Sequence, residues 1–378
     1  MKMMTTMKNK YLCYAACSFG LEAVVARELA ALGFEEIKTR DARVYFSADE
    51  LGIAKANLWL RTADRVYLVV DEFYADSFDM LYDKVSESPW QIYLPKNAAF
   101  PVNGDAIRST LGSVSDVQSI GKKAIVDAMT KAYHAKFFKE DGAEYPVYIS
   151  ILSDEVTVSL NTSGIGLNRR GYRVKNSAAP LRETLAAGMI HLSRWRDRPF
   201  YDPMCGSGTI VIEAALQAQN RAPGLLRKFA AQYWSDAFKT AFETAREEAS
   251  GLYQRKVDIE IFASDIDEKV LETADFHIKR AGVDGIVRLK KTNVYDFSPE
   301  TEAGTLITNP PYAMRMGEEK ECHALYKKLG ERLLPLNDFR CYFICADEDF
   351  EKHYGKRADK KRKLYNGNIR CNYYQYFK

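Results

Sequence analysis

From Arg198 onward the chain alternates short apolar runs with amphipathic stretches, and this alternation limits the fold more than any other feature. "RPFYDPMCGSGTIVIEAAL" reads as strand, glycine-rich turn and helix, and "VDIEIFASDIDEKVLETADFHIKRAGV" as strand, acidic turn and helix. In the second helix Val270, Ala274, His277, Ile278 and Ala281 share one face. "IVRLKKTN", "GTLITNPPY" and "RCYFICAD" supply three more strands. Apolar strands separated by helices form a parallel sheet covered on both faces. The tail "KRKLYNGNIRCNYYQYF" predicts an antiparallel hairpin around Asn366-Gly367 with a type I′ turn.

The earlier residues follow another pattern. "YLCYAACS", "RVYFSA" and "RVYLVVDEF" are short strand-like runs between helical segments such as "GLEAVVARELAALGF" and "ELGIAKANLWLRTA". A long helix, "SDVQSIGKKAIVDAMTKAYHAKFF", precedes two strands that turn at Ser153-Asp154. Small α+β modules are expected over residues 1–65 and 66–165, with the doubly wound unit over 166–378. At 378 residues the chain exceeds one ordinary core, which agrees with that division.

Composition, 47% apolar and 28% charged, is that of a globular protein. No apolar run reaches the roughly 18 residues of a membrane span. The basic start runs into Glu22 without a small-residue cleavage site, so it does not read as a signal peptide, and a cytoplasmic location is expected. Seven cysteines without a C-x-x-C pair indicate neither a zinc knuckle nor a disulfide framework. No metal site is expected, because the five histidines show no ligand spacing.

Chemistry concentrates at three strand ends. "DPMCGSGT", from Asp202 to Thr209, follows a strand and opens a helix; Gly206 and Gly208 let the backbone approach a ligand. The loop is neither G-x-G-x-x-G nor a P-loop, which disfavours phosphate binding there. Asp265 ends the next strand and can accept from both ribose hydroxyls of an adenosine-containing cofactor; the bland reading of Asp265 and Asp267 is capping of the helix that starts at Glu268, and the two roles can coexist. Its distance from the glycine loop exceeds the usual interval of about 20 residues, and residues 218–256 read as a helical insertion that accounts for the excess.

The third strand end is Asn309-Pro310-Pro311-Tyr312. Neither proline offers an N–H, and each disfavours helical geometry in the residue before it, so the turn is stiff and poor in donors. Its acceptors, the Asn309 side-chain oxygen and the Pro310 carbonyl, can hold both hydrogens of a nucleobase amine while the Tyr312 ring stacks on the base. Such an arrangement turns the nitrogen lone pair towards an electrophile and stabilises the charge that develops on it. Transfer of a methyl group from S-adenosylmethionine fits, since that donor has a ribose and no phosphates. Taken alone, the motif is also an ordinary loop turn.

"YDPMCGSGTIVIEAA", "SDID" and "TNPPYAMRMGEE" together resemble the motifs of class I amino-methyltransferases. "SLNTSGIGLNRRGYRVKNSAAPLRETLAAGMI" resembles the segment that precedes them in THUMP-domain RNA methyltransferases. The likeness covers nearly the whole chain and is nearest to the methyltransferase half of RlmL-type 23S rRNA guanine-N2 methyltransferases, often labelled N6-adenine-specific DNA methylases. It implies a Rossmann-like class I α/β domain after ferredoxin-like and THUMP modules, with S-adenosyl-L-methionine as cofactor. It further implies cofactor contacts from Asp202, Met204, Cys205, Gly206, Ser207, Gly208, Asp265, Ile266, Asn293, Val294 and Thr184, and catalysis by Asn309, Pro310, Pro311 and Tyr312. Cys205, without a base partner, reads equally as a small packing residue.

The implied partner is 23S rRNA or a large-subunit precursor. Lys122 and Lys123 open an amphipathic helix and are candidates for phosphate contact, as are Arg169, Arg170 and Arg173 between the modules. A solvated helix face and a structural hinge are the alternatives. Asn293 stands where the family usually has Asp, and Ala313-Met314 replaces its common Gly-Glu. Two other functions compete: a DNA or RNA adenine-N6 methyltransferase, and a non-catalytic RNA-binding assembly factor.

Overall fold

The computed structural model of the chain describes residues 10–135, 137–173, 181–312 and 319–377. In β1 (Tyr11–Cys17) the alternation sends Cys13, Ala15 and Cys17 into the main core and Tyr14 to the opposite face. The chain then forms α1 (Glu22–Ala31), β2 (Lys38–Arg40), β3 (Arg43–Ala48) and α2 (Glu50–Trp59). Asp49 caps α2 by accepting from the Gly52 amide at 2.9 Å.

β4 (Ala63–Tyr74) is followed by α3 (Phe78–Glu87), α4 (Trp90–Tyr93), β5 (Val102–Ile107), α5 (Val114–Tyr133), β6 (Val147–Leu152) and β7 (Glu155–Asn161). These strands make one sheet in the order β2-β3-β1-β4-β7-β6-β5. β4 pairs with β1 along one edge and with β7 along the other. The expected boundary between residues 65 and 66 therefore falls inside a strand common to both modules. Ser153 and Asp154, with φ of 51° and 65°, make the two-residue turn between β6 and β7, a type I′ geometry.

The second sheet is built from β8 (Phe200–Asp202), β9 (Ile261–Asp265), β10 (Val287–Lys291), β11 (Gly304–Thr308), β12 (Phe339–Cys345), β13 (Lys360–Asn366) and β14 (Ile369–Tyr376). Its order is β10-β9-β8-β11-β12-β14-β13, parallel through β12 and antiparallel beyond. Helices α6 (Glu183–Ser193), α7 (Thr209–Ala218), α8 (Asp236–Leu252), α9 (Glu268–Ala281), α10 (Glu319–Leu333) and α11 (Phe350–Tyr354) complete the fold. Strand order reverses between β8 and β11, so a crevice opens at the carboxyl ends of β8, β9 and β11.

Two local expectations change. The buried stripe of α9 uses Leu271, with Ala274, His277, Ile278 and Ala281, in place of Val270. The β13–β14 loop is Gly367-Asn368, and only Gly367 has positive φ, at 63°. That is the pattern of a type II′ turn, which asks for glycine at the first central position, and not of type I′.

The junction between the two sheets is polar and buried. Arg170 and Glu213 approach to 3.5 Å with side chains 3% and 0% exposed, and the Tyr172 hydroxyl donates to Glu213 at 3.0 Å. Arg61 donates to the Arg221 carbonyl at 2.7 Å, and Thr184 to Asp64 at 2.7 Å. The insertion also docks on the N-terminal modules: Lys55 of α2 pairs with Glu248 at 2.7 Å, and Tyr145, just before β6, stacks on Trp234 with centroids 4.8 Å apart. Arg170 thus belongs to the interior and cannot reach RNA. Arg173, which donates to Thr209 at 2.6 Å and to the Leu181 carbonyl at 2.9 Å, is likewise committed to the fold.

Candidate functional site

The crevice at the strand reversal holds a cavity of about 600 Å³. Met204 and Gly206 come from the loop after β8, Asp265 and Ile266 from the end of β9, and Asn293, Val294 and Tyr295 from the turn after β10. Asn309, Pro310, Pro311 and Tyr312 close it from the end of β11. Four separate strand ends therefore bring Met204, Gly206, Asp265, Ile266, Asn293, Val294 and the Asn309–Tyr312 turn into one space.

Gly206 has φ of 52°, and a Cβ there would meet nothing within 4 Å, so the loop leaves room beside its backbone. Gly208, with φ of 84°, begins α7 against Ala274, which a Cβ would contact at 3.4 Å. Asp265 ties the two loops together: its carboxylate accepts from the Gly206 amide at 3.0 Å and the Asp267 amide at 3.1 Å. Each oxygen keeps a second lone pair for a ligand hydroxyl. Asp267 caps α9 through the Lys269 amide at 2.9 Å, so capping and ligand binding are divided between the two aspartates.

Asp202 lies behind the wall. Its Oδ1 accepts from the Thr308 hydroxyl at 2.6 Å and the Met204 amide at 3.3 Å, which couples the glycine loop to the strand that carries Asn309. Burial raises its carboxyl to about 7, against the lowering effect of those two hydrogen bonds and with a further upward push from Asp265. Asn309 Oδ1 is buried and has no hydrogen-bond partner among the described residues. A buried acceptor left without a donor is costly, so this atom is set for one that a ligand brings.

The turn itself is braced from beneath. The Tyr326 hydroxyl, on α10, donates to the Pro311 carbonyl at 2.9 Å and accepts from the Cys345 thiol at 3.4 Å. Asn366 Nδ2 donates to the Tyr312 hydroxyl at 3.2 Å, which fixes the ring from the C-terminal hairpin. Pro203, Tyr295, Leu325 and Ile369 also line the cavity and went unrecognised in the sequence. Asn366 had been visible only as a turn residue.

Other expected contacts lie off the wall. Cys205 is 7% exposed and packs in the core, and the Ser207 carbonyl meets His277 Nδ1 at 3.1 Å. Thr184 is committed to Asp64, away from the cavity. Asn293, by contrast, does line the cavity, and its side chain accepts from the Tyr295 amide at 3.0 Å as the cap of a short 3-10 turn. Ala313 and Met314 lie outside the described residues. Lys122 is held by Glu140 at 2.7 Å and the Phe100 carbonyl at 3.1 Å, whereas Lys123 and Arg169 are exposed.

The residues present fit S-adenosylmethionine. Asp265 offers ribose acceptors, Gly206 an open cradle, and Met204 and Val294 apolar walls. A family described as "RMKL-like, methyltransferase domain" matches residues 170–375, more than half of the chain. The chain belongs to that family. The RlmL ferredoxin-like domain matches residues 13–67 of this RMKL-like protein and the THUMP domain residues 75–161, so the α+β modules and the Rossmann-like class I domain are as expected.

A Bacillus subtilis (strain 168) protein named "Putative RNA methyltransferase YpsC" is 44% identical over 373 residues, which covers 98% of this chain and 96% of that one. "Ribosomal RNA large subunit methyltransferase K/L" of Shewanella baltica (strain OS185) is 32% identical over 95% of this chain; the chain spans only 52% of it, about half. A crystal structure of SMU.472, described as "a putative methyltransferase complexed with SAH", superposes with a TM-score of 0.92 at 38% identity, covering 98% of this chain and 99% of that one. Among the described residues no helix is long and apolar enough to cross a membrane. No cluster of histidine, cysteine, aspartate or glutamate that could hold a metal ion occurs among them.

Proposed function

We propose that this protein methylates the exocyclic N2 amine of a guanine in 23S rRNA, with S-adenosylmethionine as donor, in the cytoplasm on free rRNA or a large-subunit precursor. The observation that carries the reading is the buried, unpartnered Asn309 Oδ1 in the same cavity as Asp265, Gly206 and Tyr312. The likeness to a ribosomal RNA methyltransferase and the THUMP match support RNA as the substrate.

The donor supplies a methyl group on a positively charged sulfur. Asp265 would accept from the ribose hydroxyls, and Met204 and Val294 would give the donor apolar walls. An unstacked base lies against the Tyr312 ring, and Asn309 Oδ1 and the Pro310 carbonyl each accept one amine hydrogen. The nitrogen lone pair is thereby directed at the methyl carbon. As the new C–N bond forms and the C–S bond breaks, both acceptors stabilise the positive nitrogen, which then releases a proton to solvent. No general base is required beforehand.

An adenine N6 amine presents the same two hydrogens, so the motif does not separate the two bases. The test is methylation of unmodified 23S rRNA and of duplex DNA by the purified protein with labelled donor, followed by nucleoside mass spectrometry. N2-methylguanosine from the rRNA is expected. N6-methyladenosine, or label in the DNA alone, overturns the assignment.

A further inference from the structure

A second cavity, of about 680 Å³, lies at the junction of the two sheets, where α1, α2, α6 and α7 end. Arg27, Arg61, Arg194 and Arg196 line it, and Glu28 is its only carboxylate. Both Glu28 oxygens are already engaged: one accepts from the Arg61 amide at 2.9 Å, the other from the Thr62 amide at 3.1 Å and the Thr62 hydroxyl. The cavity therefore has a surplus of positive charge.

Cations commonly gather at helix C-termini to complement the carbonyl ends, which would make these arginines structural. The contacts argue otherwise. Arg27, Arg194 and Arg196 are exposed, and none of their guanidinium groups donates to a carbonyl or pairs with a carboxylate among the described residues, although the Arg194 backbone amide donates to the His191 carbonyl at 3.2 Å. Arg61 is only 6% exposed, and its Nη1 has no hydrogen-bond partner. His191 Nε2 and Gln217 Oε1, in the same wall, are also without hydrogen-bond partners. His191 Nε2 does lie 3.6 Å from Glu28, too far for a hydrogen bond. The wall thus offers unmet donors and an unmet acceptor, while the rim carries three uncommitted guanidinium groups. The half-buried indole of Trp59 forms a flat apolar side.

We infer that this junction cavity binds a nucleotide, its phosphate held by the rim arginines and its base beside Trp59. Guanidinium groups match phosphate oxygens in pairs, and an indole face accepts any base. Gln217 and His191 provide hydrogen-bond partners for the base edge. The inference does not rest on the methyl-transfer reading, because no residue of the donor cavity takes part. The occupant is either one nucleotide of a bound RNA strand or a free nucleotide, which share this chemistry.

The test is calorimetric titration of the full chain with inorganic phosphate, GMP and a short single-stranded RNA, comparing wild type with the double variant R194Q/R196Q. Both positions are on the exposed rim, so the fold and S-adenosylmethionine affinity should be unchanged. GMP or RNA affinity should fall about tenfold or more in the variant, with inorganic phosphate competing in the wild type. A fall for RNA without measurable GMP binding assigns the site to a strand; a fall for both shows that a free nucleotide suffices. Failure of all three probes to bind, or equal affinities in wild type and variant, overturns the inference.

Discussion

Replacing Arg170 with methionine should destabilise the protein strongly and should not act through RNA. The guanidinium is 3% exposed and lies 3.5 Å from Glu213, whose side chain is fully buried. It also donates to the Leu167 carbonyl at 2.6 Å and to the Arg61 carbonyl. Removing one partner of a buried ion pair leaves the other charge uncompensated, a cost of about 3–5 kcal/mol. Against a total stability on the order of 5–15 kcal/mol, that is a large fraction. Urea unfolding followed by tryptophan fluorescence should show the midpoint move down by a corresponding amount. Adding Glu213→Gln should recover most of the loss, because the neutral amide needs no counter-charge and still accepts from Tyr172. If Arg170→Met costs less than about 1 kcal/mol and instead weakens RNA binding with a shallower salt dependence, the guanidinium faces the nucleic acid and the reasoning fails.

Three further outcomes follow from the site. Asp202 has a folded-state value of about 7, above its ordinary 3.8, so its contribution to stability is full at pH below 3.8 and is lost as pH rises through 7. Asp202→Asn cannot ionise and should gain on the wild type between pH 4 and 8 in a thermal-unfolding series; parallel curves would remove the buried carboxyl from the account. Asp265→Ala should weaken S-adenosylmethionine about tenfold or more by calorimetry, through the lost charge-assisted hydrogen bonds, and unaltered affinity would take it out of the donor site. Tyr326→Phe removes the donor to the Pro311 carbonyl, at a cost of about 1 kcal/mol, and should lower kcat while donor affinity stays constant. Loss of donor affinity instead would mean that Tyr326 supports the whole cavity.

The parallel strands and the three loops of the site were legible because each depends on a short local pattern: an apolar run, then glycine, aspartate or proline at its end. What escaped the sequence depends on long-range pairing. β4 serves two modules because β1 and β7 flank it, and nothing within residues 63–74 announces two partners. Arg170 sits in the basic run "NRRGYRVK" yet is buried, because its counter-charge, Glu213, is 43 residues away on α7. Thr184 was placed at the donor through the family likeness, whereas its partner Asp64 comes from the other sheet. Tyr326 and Asn366 brace the Asn309–Tyr312 turn from elements that the chain reaches only after it.

The central claim is that the Asn309 side chain holds an amine during methyl transfer. Its most direct test is the single-turnover rate of Asn309→Ala with labelled donor and unmodified 23S rRNA, measured beside S-adenosylmethionine affinity. Loss of one transition-state acceptor predicts a rate lower by about 100-fold or more, with donor affinity unchanged. Transfer at the wild-type rate would contradict the account.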